Sequence, residues 1–177
     1  WSLGSALRSG ASARALLIAL STPMIAAPLS DAHAGGALPT SGHYVAGSGA
    51  IAKKGSTGLT VNQSSASGII DWSSFSIGKG NKVNFDNGSG ATLNRVTGGN
   101  LSTIAGSLKA TGSVYLINPQ GVIVSKTGRV VTGGSFIASS RDESDSHFMN
   151  ERRGFRGSSK GDVSNAGKIT SSNGGGV

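Results

Sequence analysis

The sequence predicts an all-β fold in which short strands stack into a parallel β-helix. Glycine, serine, threonine and asparagine supply 80 of the 177 residues, and these residue types favour turns over long regular elements. Apolar residues alternate with polar ones over a few residues at a time, which is the period of a strand with one buried face. No stretch repeats apolar residues with helical spacing over a dozen positions, so negligible helix is expected beyond residue 40.

The first 34 residues differ from the rest and have the layout of a secretory signal peptide. Arg8 and Arg14 precede a mostly apolar segment at residues 15–27, which is shorter than the ~20 residues that a membrane-spanning helix needs. Ala32 and Ala34 then place small side chains at the two positions that signal peptidase reads. We therefore expect cleavage directly after Ala34.

Beyond residue 57 the chain consists of predicted strands separated by turns of glycine, asparagine or serine. Alternate residues such as Leu59 and Val61, Val83 and Phe85, or Val114 and Leu116 are expected to point to one side of each strand. The predicted strands are Leu59–Gln63, Gly68–Trp72, Lys82–Phe85, Thr92–Val96, Val114–Ile117, Val122–Val124, Val130–Val131 and Phe136–Ala138, and Val163 and Lys168–Thr170 continue the pattern.

A short repeated unit favours the parallel β-helix over an antiparallel sandwich. The unit joins an apolar residue, an asparagine and a glycine to the next strand, and it occurs at residues 117–123 and again at residues 163–169. Asparagine and glycine suit the corners of a β-helix because both tolerate left-handed backbone angles. A sandwich would show tight hairpins and aromatic-rich faces, whereas aromatic residues make up only 5% of this chain.

Residues 141–161 interrupt the strand pattern and are expected to form a loop extruded from the β-helix. The 46-residue offset between the two copies of the unit is long enough for two coils, but this polar segment lies within it. The segment lacks strand alternation and is rich in charge: its basic residues are Arg141, Arg152, Arg153, Arg156 and Lys160, and its acidic residues are Asp142, Glu143, Asp145 and Glu151.

The residues show no catalytic, cofactor or metal site, so we predict that the chain is not an enzyme. It contains no cysteine, and His33, His43 and His147 have no paired ligand at metal-binding spacing. No two carboxylates suggest an acid–base pair, which also argues against a polysaccharide lyase on a β-helix. The net charge of +8 favours anionic surfaces, but it is spread thinly, and no nucleic-acid partner is predicted.

Three stretches carry a family resemblance, and together they cover roughly residues 37–140. The first is residues 69–78 with 83–85, the second is 93–106, and the third is 114–122, ending in 134–139. In this order they resemble the N-terminal secretion domain of filamentous-haemagglutinin-type exoproteins, the haemagglutination activity domain of two-partner secretion. The third stretch departs from the family pattern, since Gln120 stands where Asn is usual and no Asn-Pro-Asn-Leu element is present.

The resemblance implies a secretion motif in two parts. Residues 118–121 have proline second and glycine fourth, as in a type I turn, and this turn either shapes a corner of the β-helix or contacts the pore. The motif residues are Asn94, Arg95, Val96, Asn118, Pro119, Gln120 and Gly121.

The resemblance also implies the fold class and the partners. Residues 35–177 would form a right-handed, single-stranded parallel β-helix with extra-helical loops, truncated at its C-terminus and preceded by the signal peptide at 1–34. The Sec machinery would export the chain, and the periplasmic POTRA domains of a dedicated outer-membrane transporter would recognise it. The product would be secreted or held at the cell surface. An adhesin acting on a host or neighbouring cell and a haemolysin or contact-dependent inhibition toxin both remain open, and neither implies a cofactor.

Overall fold

Three mainly parallel sheets wind around one apolar core and form a β-solenoid. The computed structural model describes residues 37–152, 154–173 and 176–177, so the predicted signal peptide and its cleavage site lie outside the described residues. The strands are β1 (His43–Ala46), β2 (Gly49–Lys54), β3 (Gly58–Gln63), β4 (Ser67–Trp72), β5 (Lys82–Asp86), β6 (Ala91–Val96), β7 (Ser102–Ile104), β8 (Ser107–Ala110), β9 (Ser113–Ile117), β10 (Val122–Val124), β11 (Arg129–Thr132), β12 (Phe136–Ser139), β13 (Val163–Asn165) and β14 (Lys168–Ser171), with the helix α1 (Asp145–Met149) between β12 and β13.

The sheet order shows how the chain winds. The first sheet has the order β2-β3-β5-β8-β11-β14, the second β1-β4-β6-β9-β12 and the third β7-β10-β13. In the first sheet, Gly58 pairs with Lys82, Lys82 with Ser107, and Ser107 with Arg129, at sequence distances of 24, 25 and 22 residues. One coil therefore takes 22–25 residues when it is measured along this sheet, which confirms the predicted parallel β-helix. Among the strands of the described residues, only β1 on β4 and β2 on β3 pair antiparallel, at the N-terminal end.

The core is a stack of side chains that repeat from coil to coil. In the first sheet the register places Leu59, Val83, Leu108, Val130 and Ile169 in one ladder. The first four are at most 3% exposed, and Ile169 at the last coil is partly buried. The inward orientation predicted from strand alternation is thus confirmed, and burial of the ladder supplies the main stabilisation of the solenoid.

The structure adds elements that the sequence pattern did not reveal. The prediction omitted β1, β2, β7 and β8, which are short or rich in glycine, alanine and serine and so carry little apolar alternation. The prediction of negligible helix overlooked α1, whose five residues begin after Ser144, the N-cap whose side chain accepts from the His147 backbone N–H. No helix in the described part of the chain is both long and apolar enough to cross a membrane.

The two copies of the repeated unit do not occupy equivalent corners. If they did, Val163 would stack on Ile117, but Val163 pairs with Val122 instead. The first copy turns the chain from the second sheet to the third, while Gly167 of the second copy lies against the carbonyls of Ser125 and Gly128, between the third sheet and the first. The two copies therefore do not stack on each other, because similar turn sequences serve two different corners.

Candidate functional site

Arg95 is the centre of a polar cluster on the outer face of the second sheet. Its Nη1 lies 3.3 Å from Oδ1 of Asp71, its neighbour on β4, and its Nε lies 2.9 Å from Oδ1 of Asp142. Its Nη2 lies 2.6 Å from Oδ1 of Asp145 and donates to the backbone carbonyl of Glu143 at 2.8 Å. One guanidinium thus joins a strand of the solenoid to the start of residues 141–161, the segment that we call the excursion.

The planar guanidinium suits this role because it donates in several fixed directions at once. Its side chain is 16% exposed, whereas the side chains of Asp142 and Asp145 are 56% and 53% exposed. Burial lowers the pKa of Arg95, but hydrogen bonds to Asp145 and Asp142 and their charges raise it above its usual range. Arg95 therefore stays charged throughout the physiological pH range.

Asn94 and Val96, on either side of Arg95, point into the solenoid. Asn94 is fully buried and its Oδ1 accepts from the Trp72 indole N–H at 3.0 Å. Its Nδ2 donates to the backbone carbonyl of Tyr115 on the next coil at 3.2 Å. Val96 is 2% exposed and belongs to the apolar core. The first part of the predicted motif therefore has two structural residues and one outward-facing cation.

Asn118 is buried in the corner after β9. Its Nδ2 donates to the carbonyl of Asn100 and to Oγ of Ser102, both at 2.9 Å, and its Oδ1 accepts from the Gln120 backbone N–H at 2.9 Å. Its own carbonyl accepts from the Gly121 N–H, as in the predicted four-residue turn. Asn118 has no positive φ, whereas Gly121 has a φ of 114°. The left-handed angle predicted for asparagine thus belongs to the glycine, and Asn118 acts through its amide.

The end of the excursion rests on this same corner. Ser159 donates from its Oγ to the carbonyl of Pro119 at 2.6 Å. A Cβ on Gly161 would lie 2.4 Å from that carbonyl, and a Cβ on Gly121 would lie 2.6 Å from the carbonyl of Asp162. Both glycines are therefore required by close backbone contact. Pro119 and Gln120 remain exposed beside the contact.

The underside of the excursion is apolar and covers the outer face of the second sheet. Phe148 on α1 is fully buried and packs with Ile69, Leu93 and Ile117. Its ring meets the ring of Tyr115 edge-on, with centroids 5.2 Å apart. The excursion is thus a packed lobe of the domain and contributes a second, smaller core outside the solenoid.

Polar contacts hold the excursion together internally. Asp142 and Arg156 exchange two backbone hydrogen bonds, of 2.9 and 2.7 Å. Glu143 is 1% exposed, and its Oε2 accepts from the backbone N–H of Gly154. Its Oε1 lies 3.9 Å from Nδ1 of His147 and has no hydrogen-bond partner among the described residues. The pairing of Asp142 with Arg156 closes the chain between them into a loop with one neck, as in an Ω-loop.

The structure brings both parts of the predicted motif together. Arg95 pairs in register with Ile117, the residue before Asn118, so the two parts lie on adjacent strands. Sequence reasoning missed the partners of Arg95, because it read the acidic residues of the excursion only as solvated charge. A usable signal was Phe148 and Phe155 in an otherwise polar insertion. No group of three or more metal-ligating side chains occurs in the described residues.

Comparison with known proteins decides the family. A family model described as the TPS secretion domain, the two-partner secretion domain, matches residues 35–177. The chain belongs to this family. The match covers the whole solenoid and the excursion, so the fold described above is that of a secretion module of exoproteins, which are secreted through the outer membrane with a cognate transporter.

Similar proteins and structures agree with this assignment. The crystal structure of the HMW1 secretion domain from Haemophilus influenzae matches 74% of this chain and 36% of that chain, with 28% sequence identity and a TM-score of 0.67. Two heme/hemopexin-binding proteins of Haemophilus influenzae are 39% and 40% identical over 101 and 100 residues. The alignments cover 56% and 55% of this chain but only 11% of either relative.

Proposed function

We propose that this TPS domain is the N-terminal secretion and folding module of a large adhesin-like exoprotein. After Sec export and removal of residues 1–34, it is recognised by the periplasmic POTRA domains of its outer-membrane transporter. The family assignment supports the module and its transporter, and the signal-like sequence at residues 1–34 supports Sec export. The same module at the head of a haemolysin or contact-dependent inhibition toxin is the alternative.

The name of the heme/hemopexin-binding relatives does not change this proposal. The likeness extends over 11% of each relative, and the family match identifies the matching part of this chain as secretion domain. The shared property is therefore secretion, and cargo activity depends on residues outside the likeness.

We further propose that the transporter recognises the excursion together with the exposed part of the 118–121 corner. The observation that carries this proposal is the fourfold contact of Arg95, which fixes the start of the excursion on the solenoid. The corner, through Pro119, supports its other end. Asn94, Val96 and Asn118 act beneath this surface as positioning residues, whereas Pro119 and Gln120 are available for direct contact.

Replacing Arg95 tests this proposal. Arg95→Ala removes the contacts to Asp71 on β4 and to the start of the excursion. Arg95→Lys keeps the positive charge but loses the planar guanidinium, which donates to several acceptors at once. We expect both variants to keep the solenoid and to lose binding to the purified POTRA domains and export in cells. Lys53→Ala, which removes an exposed cation of β2 outside the excursion and the 118–121 corner, is the control and should keep transporter binding and export.

The outcome is read on two measurements. Protease cleavage within the excursion reports whether it has detached, and transporter binding reports recognition. A detached excursion with unchanged transporter binding and export would show that recognition uses another surface.

A further inference from the structure

The charges of the domain are sorted onto different faces. Of seven described acidic residues, Asp71, Asp142, Glu143 and Asp145 lie at or beside Arg95 on the second sheet. The outer face of the first sheet and the turns that lead into it carry one acidic residue, Asp86. The same surface, which we call the basic face, carries seven exposed cations: Lys54, Lys79, Lys82, Lys109, Lys126, Arg129 and Lys168.

The register explains why these cations share one face. Lys82, Arg129 and Lys168 stand in one row of the parallel ladder, with Ser107 between the first two. Lys109 occupies the neighbouring outward row, and adjacent strands lie about 4.8 Å apart. Their inward neighbours are buried, or partly buried at Ile169 on the last strand, so the alternation of each strand directs these cations to solvent.

The basic face is not neutralised by the protein itself. None of the ion pairs found between described residues involves a cation of this face. Lys79, Lys82 and Arg129 even border the same shallow cleft, which brings three like charges close together. Such a concentration of one sign of charge attracts an anionic partner over a distance of about one Debye length, roughly 8–10 Å at physiological salt.

The side chains of the basic face indicate which kind of anionic partner it suits. Protein interfaces are anchored by buried aromatic and apolar side chains, and the basic face offers only Val131 as an exposed large hydrophobic residue, at 38% exposure. A row of lysines on a sheet, without an aromatic platform or a deep pocket, instead matches a planar array of phosphate headgroups.

We propose that the basic face docks on anionic lipid headgroups at a membrane surface. The excursion lies on the second sheet and the basic face on the first, so lipid and transporter contact different sides of the solenoid. Membrane attachment through this face would concentrate the exported domain at the surface where its transporter is embedded. The attachment itself does not depend on the proposed recognition by POTRA domains.

Vesicle binding by the purified chain tests this inference. The probe is phosphatidylglycerol mixed with phosphatidylcholine, with phosphatidylcholine alone as the neutral surface. The triple variant Lys82→Thr, Lys109→Thr, Arg129→Thr removes one outward cation from each of three consecutive strands. Because one cation near an anionic surface contributes about fivefold in affinity, we expect a loss on the order of a hundredfold.

The matched control removes three exposed cations of the excursion: Arg141→Thr, Arg152→Thr and Lys160→Thr. We expect it to bind anionic vesicles like the original chain. Raising the salt from about 0.1 M to about 1 M shortens the Debye length from about 10 Å to about 3 Å and should abolish vesicle binding. Circular dichroism confirms that each variant is folded.

Two results would overturn the proposal. The first is unchanged vesicle binding by the basic-face variant, and if this variant also loses POTRA binding, the partner of the face is a protein. The second is an equal loss in the control, which would indicate net charge without a defined face. Arg95→Ala, which tests transporter recognition, is expected to bind vesicles normally, so failure of one proposal is distinguishable from failure of the other.

Discussion

Asn118 shows how one buried side chain can determine a corner. Its side chain is fully buried, and its amide makes one hydrogen bond within the turn and two to residues 100 and 102. The backbone conformation is ordinary at Asn118 and left-handed at Gly121. The specificity for asparagine therefore arises from the donors and acceptors that its amide matches.

We predict that Asn118→Val destabilises the domain. The apolar side chain leaves the buried Oγ of Ser102 without its partner, at about 1–3 kcal/mol for such a group, and the part-buried Asn100 carbonyl and Gln120 N–H lose theirs as well. Urea denaturation of the variant measures the loss in the free energy of unfolding. Gln120→Ala is the control, since this side chain is exposed and its loss should change stability by less than about 0.5 kcal/mol. An Asn118→Val variant as stable as the original chain would contradict the structural role of the amide.

Tyr44 gives the domain a pH dependence at the alkaline end. Burial raises the pKa of Tyr44 from 10.0 to about 12, and its hydroxyl is enclosed without a hydrogen-bond partner among the described residues. The folded-state pKa of Tyr44 lies above the unfolded one. The contribution of the protonated Tyr44 to the free energy of unfolding is therefore fully present below pH 10.0, and it is lost as the pH rises to about 12. Tyrosinate absorbance should show Tyr44 ionising later than an unfolded tyrosine. Tyr44→Phe should remove this dependence without lowering stability at neutral pH, and a stability loss there would reveal a missed hydrogen bond.

At the scale of elements, the excursion is a lobe with its own contacts. Arg95 holds its start, the 118–121 corner supports its end, and Phe148 packs its underside on the second sheet. The solenoid ladders do not pass through it, because β12 and β13 on either side of it pair with β9 and β10 of the preceding coil. Local opening of the excursion is therefore separable from unfolding of the solenoid.

We predict that Phe148→Ala loosens the excursion while the solenoid remains folded. Truncating a buried phenylalanine to alanine in a rigid core lowers the free energy of unfolding by about 3–5 kcal/mol. Here we expect the excursion to open locally, so the solenoid does not bear the whole loss. Limited proteolysis should cut faster after Arg152, which is exposed on this lobe. Ser146→Ala, at an exposed position of α1, is the control and should be cut at the original rate. If Phe148→Ala unfolds the whole domain in one step, the excursion and the solenoid form one cooperative unit.

For the whole molecule, stability depends on stacked coils. Leu108 lies in the middle of the ladder and is fully buried, whereas Ile169 lies on the last described strand of the first sheet and is partly buried. In a solenoid each coil is stabilised by its neighbours, so a cavity between two coils weakens both contacts.

We therefore predict that Leu108→Ala lowers the free energy of unfolding by about 2–5 kcal/mol. Ile169→Ala is the matched variant and should lower it less, because Ile169 is packed on one side only. Thermal or urea denaturation compares the two. Equal losses would mean that the last coil is as well packed as the middle one.

The signal peptide prediction belongs to the whole molecule as well. We expect the exported protein to begin at or within a few residues of Gly35, and N-terminal sequencing of that protein measures this directly. Ala34→Phe should block processing, because a large side chain does not fit the small-residue position. Secreted protein with residues 1–34 intact would rule out cleavage at this site.

The sequence by itself determined the β-rich class, the strands and the inward side chains. These features follow from the alternation of neighbouring residues and from glycine and asparagine at turns, both of which are local. It also indicated the family through three ordered motifs, which the TPS match later confirmed.

Only the tertiary structure decided which coil stacks on which, what the excursion covers and which acids pair with Arg95. Val163 joins Val122 and not Ile117, and Arg95 reaches Asp142 and Asp145 almost fifty residues away. The same folding separates the cations of the first sheet from the acids of the second. The physical reason is that each of these contacts depends on the register of whole coils, and similar turn sequences occur at more than one corner.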